Sequence, residues 1–377
     1  MTDDPLPEAD RAPGAPHPRM TTALIGQSAA EASFLDAWTG GRMHHAWMIT
    51  GPRGIGKATL AWRIARFLLA TPAPDDGGLF GEALPKPLTL DIPQDHPVAR
   101  RMLAGAEPGL FLLRRTYDEK AQRFAADIKV DDARRLKSFF SLSAADGGHR
   151  VVIVDAADEM NANAANALLK LLEEPPAQST ILLISHQPSR LLPTIRSRCR
   201  ALRCAPLAPQ DLTTALTAAG IEPPENPIGM AQLAGGSVGE ALRLITLDGL
   251  KVYADLIRLI GNTPGLDRSA AIAMADRVAG RGKEDLFAQL LGLIDIFLAR
   301  AARLGATGAA PPEAAPGEAA LLARLSPTPA AARVWADLQQ SLGAKARHGR
   351  AVNLDPSSLI LDMVLRIDET AGKLRSV

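Results

Sequence analysis

Short, uninterrupted apolar runs alternate with stretches of helical periodicity through the first half of the chain. Ala46-Trp47-Met48-Ile49-Thr50 is one such run, and it leads straight into a glycine-rich turn. Behind the turn, Leu60, Ile64, Phe67 and Leu68 recur at helical spacing. Leu110 to Leu113 predicts a second strand, and Val130 to Phe140 a helix whose first turn holds Asp131 and Asp132, where negative charge suits the helix dipole. Val151-Val152-Ile153-Val154-Asp155 carries no polar alternation, the pattern of a strand covered on both faces of a parallel sheet. An Ala-rich helix follows, with Ala165, Leu168, Leu169 and Leu172 on one face, Asn161 as its cap and Pro175-Pro176 as its stop. Thr180 to Ile184 and the short Ala201 to Cys204 complete the strands. Strands alternating with helices predict a parallel five-stranded sheet with helices on both faces.

Past Pro206 the strand pattern disappears. Asp211 to Leu247 shows short helices broken by Pro223, Pro224 and Gly235-Gly236. Helical periodicity resumes at Lys251, is longest from Asp285 to Leu304, lapses over the Ala/Pro/Gly segment 305–317 and returns over Leu359 to Ile367. The expected organisation is a disordered tail over residues 1–19, an α/β core over 20–206, a small helical lid over 207–249 and an all-α domain over 250–377. Residues 71–97, rich in Pro, Gly and Asp, read as an irregular insertion.

Composition narrows the function. The 377 residues are 47% hydrophobic, enough for more than one buried core, and carry a net charge of +1. That balance provides no overall basic field for autonomous DNA binding, and an aromatic content of 4% provides little for stacking on single strands. The two cysteines, Cys199 and Cys204, make neither a disulfide framework nor a four-ligand zinc site. They read as small buried residues in a reduced, cytoplasmic protein. No apolar run has transmembrane length, and the N-terminal stretch lacks the apolar core of a signal peptide.

The chemistry concentrates at Gly51-Pro-Arg-Gly54-Ile-Gly56-Lys57-Ala58, a phosphate-binding loop with an altered last position. In such loops glycines let backbone N–H groups curl round phosphate, Lys reaches the outer phosphates, and a Ser or Thr hydroxyl ligates magnesium. Ala58 has no hydroxyl. Thr59 comes one residue late, and a turn of about 100° per residue points it elsewhere. Asp155, at a strand end, is the candidate second metal anchor, with an equal reading as the cap of the next turn. Its successor is Ala156, and Asp158 and Glu159 are expected to point elsewhere. Gly51, Gly54, Gly56, Lys57, Thr59 and Asp155 are thus the residues that would hold ATP or ADP weakly; no nucleotide is expected to be required.

Asn163-Ala-Ala-Asn166-Ala-Leu-Leu-Lys170-Leu-Leu-Glu-Glu174-Pro-Pro176, followed by Pro193-Thr-Ile-Arg-Ser197-Arg198-Cys199, resembles bacterial clamp-loader subunits of the AAA+ family. Ile25-Gly26-Gln27 and Arg42-Met-His-His-Ala46 share the resemblance, and Asn353-Leu-Asp-Pro356 with the last helix resembles the family's collar domain more weakly. The resemblance spans roughly residues 24–247. It implies an AAA+ core, a helical lid, a C-terminal collar and membership of a ring that loads the sliding clamp onto primed DNA. The implied partners are motor subunits of the gamma/tau type, a delta subunit and, indirectly, the clamp and primer-template DNA. It also implies that Arg198, flanked by Ser197 and Cys199, reaches the ATP site of a neighbouring subunit as an arginine finger. On the residues alone, Arg198 reads as one of a cluster with Arg190, Arg196, Arg200 and Arg203.

The chain departs from the family pattern at named positions. Many relatives carry a four-cysteine zinc module after the helix that follows the phosphate loop; no cysteine lies there, so no zinc is expected. Gly236-Ser237-Val238-Gly239 stands where active relatives read Gly-Ser-hydrophobic-Arg, so a phosphate-sensing arginine is replaced by Gly239, with Arg243 one turn later. Ser185 and His186 fall in a region that usually senses phosphate. Ala58, Ala156 and Gly239 each remove a different function, namely metal ligation, water activation and phosphate sensing. Together they predict a silent subunit rather than an active gamma/tau-type motor or a stand-alone AAA+ ATPase.

Overall fold

The computed structural model describes residues 7–71, 87–141 and 148–375. Its strands are β1 (Ala46–Thr50), β2 (Leu110–Arg114), β3 (Tyr117–Asp118), β4 (Arg123–Phe124), β5 (Arg150–Asp155), β6 (Ser179–Ser185) and β7 (Arg200–Arg203). Five of them form one parallel sheet in the order β2-β5-β6-β1-β7, while β3 and β4 make a small antiparallel hairpin. The expected parallel five-stranded core is therefore present, and its central strands β5 and β6 are buried along almost their whole length.

Alternate side chains of the sheet serve two different layers. Met48, Val152, Val154, Ile181 and Leu183 pack with Ala133 and Leu136 of helix Val130–Ser141 and with Ala164, Leu168 and Leu172 of helix Ala162–Glu173. On the other face Trp47 meets Phe34, of helix Ser28–Thr39, at 5.2 Å between ring centroids. Asn161 caps the helix that follows β5, its side chain accepting from the Ala164 N–H at 2.9 Å. Both helix faces of the sheet are thus specified by the period-two pattern of the strands.

The helix after the glycine turn, Lys57–Ala70, is buried nearly all round. Sequence periodicity identifies its inner face at Leu60, Ile64, Phe67 and Leu68; Trp62, Arg63 and Arg66 are buried as well. The added cover comes from residues that the sequence assigns to a disordered tail. Residues 1–6 of that tail lie outside the described residues. From Glu8 onward the segment is packed: His17 is 1% exposed and meets Trp62 edge-on at 5.4 Å. Glu8 and Asp10 pair with Arg114, and Glu8 also pairs with Arg19 at 2.7 Å. Charge pairing and one aromatic contact hold this segment, neither of which produces a periodic pattern. Of the expected insertion, 72–86 lies outside the described residues; Pro97–Leu103 forms a short helix.

The chain divides into two compact units, one of residues 1–221 with 237–239, the other of 222–236 with 240–377. The second is built from helices, the longest being Glu284–Thr307, Pro329–Ala351 and Pro356–Arg375. At its centre Glu318, fully buried, accepts from Arg300 at 2.6 and 3.1 Å, from the Tyr253 hydroxyl at 2.6 Å and from the Ala314 N–H at 2.7 Å.

Candidate functional site: a sealed phosphate loop and an outward arginine

The loop between β1 and helix Lys57–Ala70 has the backbone its glycines allow. Gly51 has φ 142°, Gly54 76° and Gly56 97°, all unfavourable for residues with a Cβ. A Cβ at Gly51 would lie 2.5 Å from the Cys204 carbonyl oxygen.

The groups that would receive phosphate are engaged with the protein itself. The Lys57 ammonium donates to the Gly51 carbonyl at 2.7 Å and to the Pro52 carbonyl. It is 3% exposed, and burial pushes its pKa down to about 8. Ser237 and Gly239 lie directly on the loop: the Ser237 hydroxyl donates to the Arg53 carbonyl at 2.9 Å, and the Gly239 N–H to the Gly54 carbonyl at 3.1 Å. A Cβ on Gly239 would come within 3.2 Å of the Gly54 Cα. Gly239 therefore does more than lack an arginine. Its missing side chain permits a backbone contact that closes over the loop.

The acidic side of the site is likewise unsuited to a metal. Burial pushes the Asp155 carboxyl up to about 7, with Asp10 and Glu159 adding negative charge. Asp158 turns back towards β6, accepting from the Ser185 hydroxyl, from the His186 N–H at 2.6 Å and from the Gln187 N–H at 3.2 Å. Glu159 pairs with Arg115 at 2.7 Å. Burial pushes His186 down to about 4, so its ring is neutral at physiological pH. Ala58 contributes a methyl where a metal needs oxygen. These residues do not fit a magnesium–nucleotide: the lysine is occupied, the hydroxyl ligand is missing, and the one strand-end carboxyl is held close to neutrality.

Arg198 lies at the opposite end of the sheet. The helix from Ala162 to Glu173 runs back against the strands, and its Leu172 carbonyl meets His45 Nε2, just before β1, at 3.0 Å. Glu173 therefore stands near the start of β1, and Arg198 pairs with it at 2.9 Å. A second Arg198 nitrogen donates to the Thr194 carbonyl at 3.1 Å, and the Ser197 hydroxyl donates to the same carbonyl at 3.1 Å. Arg200, two residues on, pairs in register with Trp47. From that level the phosphate loop begins about 13 Å further along β1 at 3.3 Å per residue. Arg198 is about one-third exposed, so its guanidinium faces solvent at an edge remote from its own loop.

Of the other predicted positions, Thr59 is half-buried in the first turn of the helix after the loop. Cys199 is half-buried and Cys204 buried; burial pushes their thiols up to about 12 and about 11 respectively. Neither is a reactive thiolate. The group with metal-ligand spacing among the described residues is Glu8, Asp10 and His17, which sequence reading missed entirely. Arg114 and Arg19 already neutralise those carboxylates.

A family model described as the DNA polymerase III delta subunit matches residues 26–208. A Pseudomonas aeruginosa DNA polymerase III subunit delta' is 41% identical over 208 residues, 54% of this chain and 57% of the relative. The Escherichia coli subunit delta' is 32% identical over 218 residues, 56% of this chain and 58% of the relative. A Mycobacterium tuberculosis DNA polymerase III subunit gamma/tau is 30% identical over 181 residues, 48% of this chain and 28% of the relative. The chain thus spans less than two-thirds of the length of these curated relatives, and the family-model match lies in the α/β unit. It is similar to DNA polymerase III subunits of both the delta' and the gamma/tau kind. No helix among the described residues is long and apolar enough to cross a membrane.

Proposed function

We propose that this chain is the delta-prime subunit of a DNA polymerase III clamp loader, a non-hydrolysing member of the ring that offers Arg198 to the ATP site of a neighbouring motor subunit. The observation that carries the reading is the separation of two features within one unit. The phosphate loop is closed by Lys57, Ser237 and Gly239. Arg198 is presented to solvent at the far end of the sheet, where it cannot reach that loop. An arginine so placed, paired with Glu173 in its own chain, can serve a nucleotide phosphate only in trans. A guanidinium beside a γ-phosphate stabilises transition-state charge, and its planar fork and permanent charge suit that role. Gamma/tau and delta subunits are the expected partners, with the clamp and primed DNA reached through the assembly in the cytoplasm.

The test is Arg198→Ala in the reconstituted assembly. At the site it completes, hydrolysis is expected to fall by ~10³-fold or more, the usual worth of such a finger. Clamp- and DNA-stimulated turnover should drop by at least that site's share, while the ring still assembles. Unchanged turnover in an intact ring removes the finger. The gamma/tau relative favours a second reading, an active motor; magnesium-dependent ATPase by the purified chain separates the two.

A further inference from the structure

A cavity of about 220 Å3 lies far along the helix from the phosphate loop, between the N-terminal segment, the helix Lys57–Ala70 and the short helix Pro97–Leu103. Its polar lining is Arg19, Thr22, Arg66 and Gln94. Its apolar lining is Met20, Ile92, Ala99 and Leu103.

Arg66 is the unusual member. It is 4% exposed, one of its terminal nitrogens donates to the Arg19 carbonyl at 2.8 Å, and its Nε has no acceptor. Two neighbouring arginines are compensated. Arg63, one turn earlier, pairs with Glu31 at 2.7 Å and Asp91 at 2.8 Å, and Arg19 pairs with Glu8 at 2.7 Å. Among the described residues no carboxylate pairs with Arg66. Burial, and then the nearby Arg63, hold its guanidinium below the usual arginine range. A guanidinium so buried in a cavity wall, with no paired carboxylate among the described residues, is strongly unfavourable unless an anion completes it.

We propose that this cavity is a binding site for a monocarboxylate carrying a short apolar stem, with its carboxylate set against the Arg66 guanidinium. Among the described residues one positive charge is uncompensated, which calls for one negative charge; a phosphate dianion would leave charge in excess. Thr22 and Gln94 offer further donors to the second oxygen. Met20, Ile92, Ala99 and Leu103 supply an apolar wall for a stem of a few carbons, which inorganic anions lack. The bound ligand would fasten the Arg19–Thr22 segment to the two helices. This site is independent of the clamp-loader reading.

Thermal unfolding of the full chain with sodium butyrate, butyramide or inorganic phosphate, at matched ionic strength, tests the proposal. At about ten times its Kd, butyrate is expected to raise Tm by about 2–4 °C. Butyramide, the neutral isostere, should give no rise, and phosphate a smaller one than butyrate. The butyrate response should disappear in Arg66→Met. Leu103→Glu, at the 40%-exposed rim, offers a tethered carboxylate and should blunt the response without touching the buried arginine. Equal butyrate responses in the parent and both variants overturn the site. A response to butyramide equal to that of butyrate, or a phosphate response larger than either, overturns the ligand class.

Discussion

Gly51 shows how tightly the phosphate loop is specified residue by residue. Its φ of 142° and the nearby Cys204 carbonyl leave no place for a methyl group. Gly51→Ala is expected to destabilise the chain by about 3 kcal/mol, read from urea unfolding, through strain and overlap together. Asp155 gives a different signature. Its folded-state pKa of about 7 lies above the ordinary 3.8, so the folded state holds a proton that the unfolded state has released across that interval. Its contribution is therefore favourable below about pH 4 and is lost as pH rises through about 7. Compared with Asp155→Asn, the parent should lose a few kcal/mol of stability between pH 4 and pH 8, an order-of-magnitude figure from the size of the shift. Urea midpoints of the two proteins that track each other across this range would show that the carboxyl is ionised and solvated. At this scale sequence alone identified Ala58 as a missing ligand. It did not show that Lys57 bonds the loop's own carbonyls, because that contact depends on a backbone path set by three positive-φ glycines.

Elements were read well where one physical rule dominates. Val151 to Asp155 and Thr180 to Ile184 are covered on both faces, so unbroken apolar runs marked them. Asn161 and Pro175 marked the limits of the helix between them through local backbone chemistry. The N-terminal segment was misjudged because ion pairs and a single His17–Trp62 contact hold it, and these depend on residues about fifty to one hundred positions away. The Arg300–Glu318 pair in the helical unit was invisible for the same reason. Each residue looks like an ordinary surface charge in the sequence, yet Glu318 is fully buried. Glu318→Gln leaves Arg300 buried without its counter-charge and is expected to cost about 3–5 kcal/mol. Thermal unfolding that resolves the helical unit should show the loss there. An unchanged transition would mean that Pro312 and Gln232, which also accept from Arg300, suffice to hold it.

For the whole molecule, the silent-subunit reading predicts that the purified chain shows no magnesium-dependent ATPase above background. Turnover comparable with that of motor subunits would require Lys57 to leave its carbonyls and Ser237 and Gly239 to lift from the loop, and would defeat the reading. The sequence by itself determined the alternation of strands and helices, the altered phosphate loop, the Ser197-Arg198-Cys199 motif and the change to an all-helical second half. Those features are local, written in periodicity, glycine placement and short motifs. Only the tertiary structure decided that Gly239 closes onto Gly54, that Asp158 is committed to β6, and that Arg198 stands at the opposite end of the sheet from the loop. Such relations join residues remote in sequence. They follow from strand order and from the direction in which each crossover helix runs, and no pattern along the chain records either.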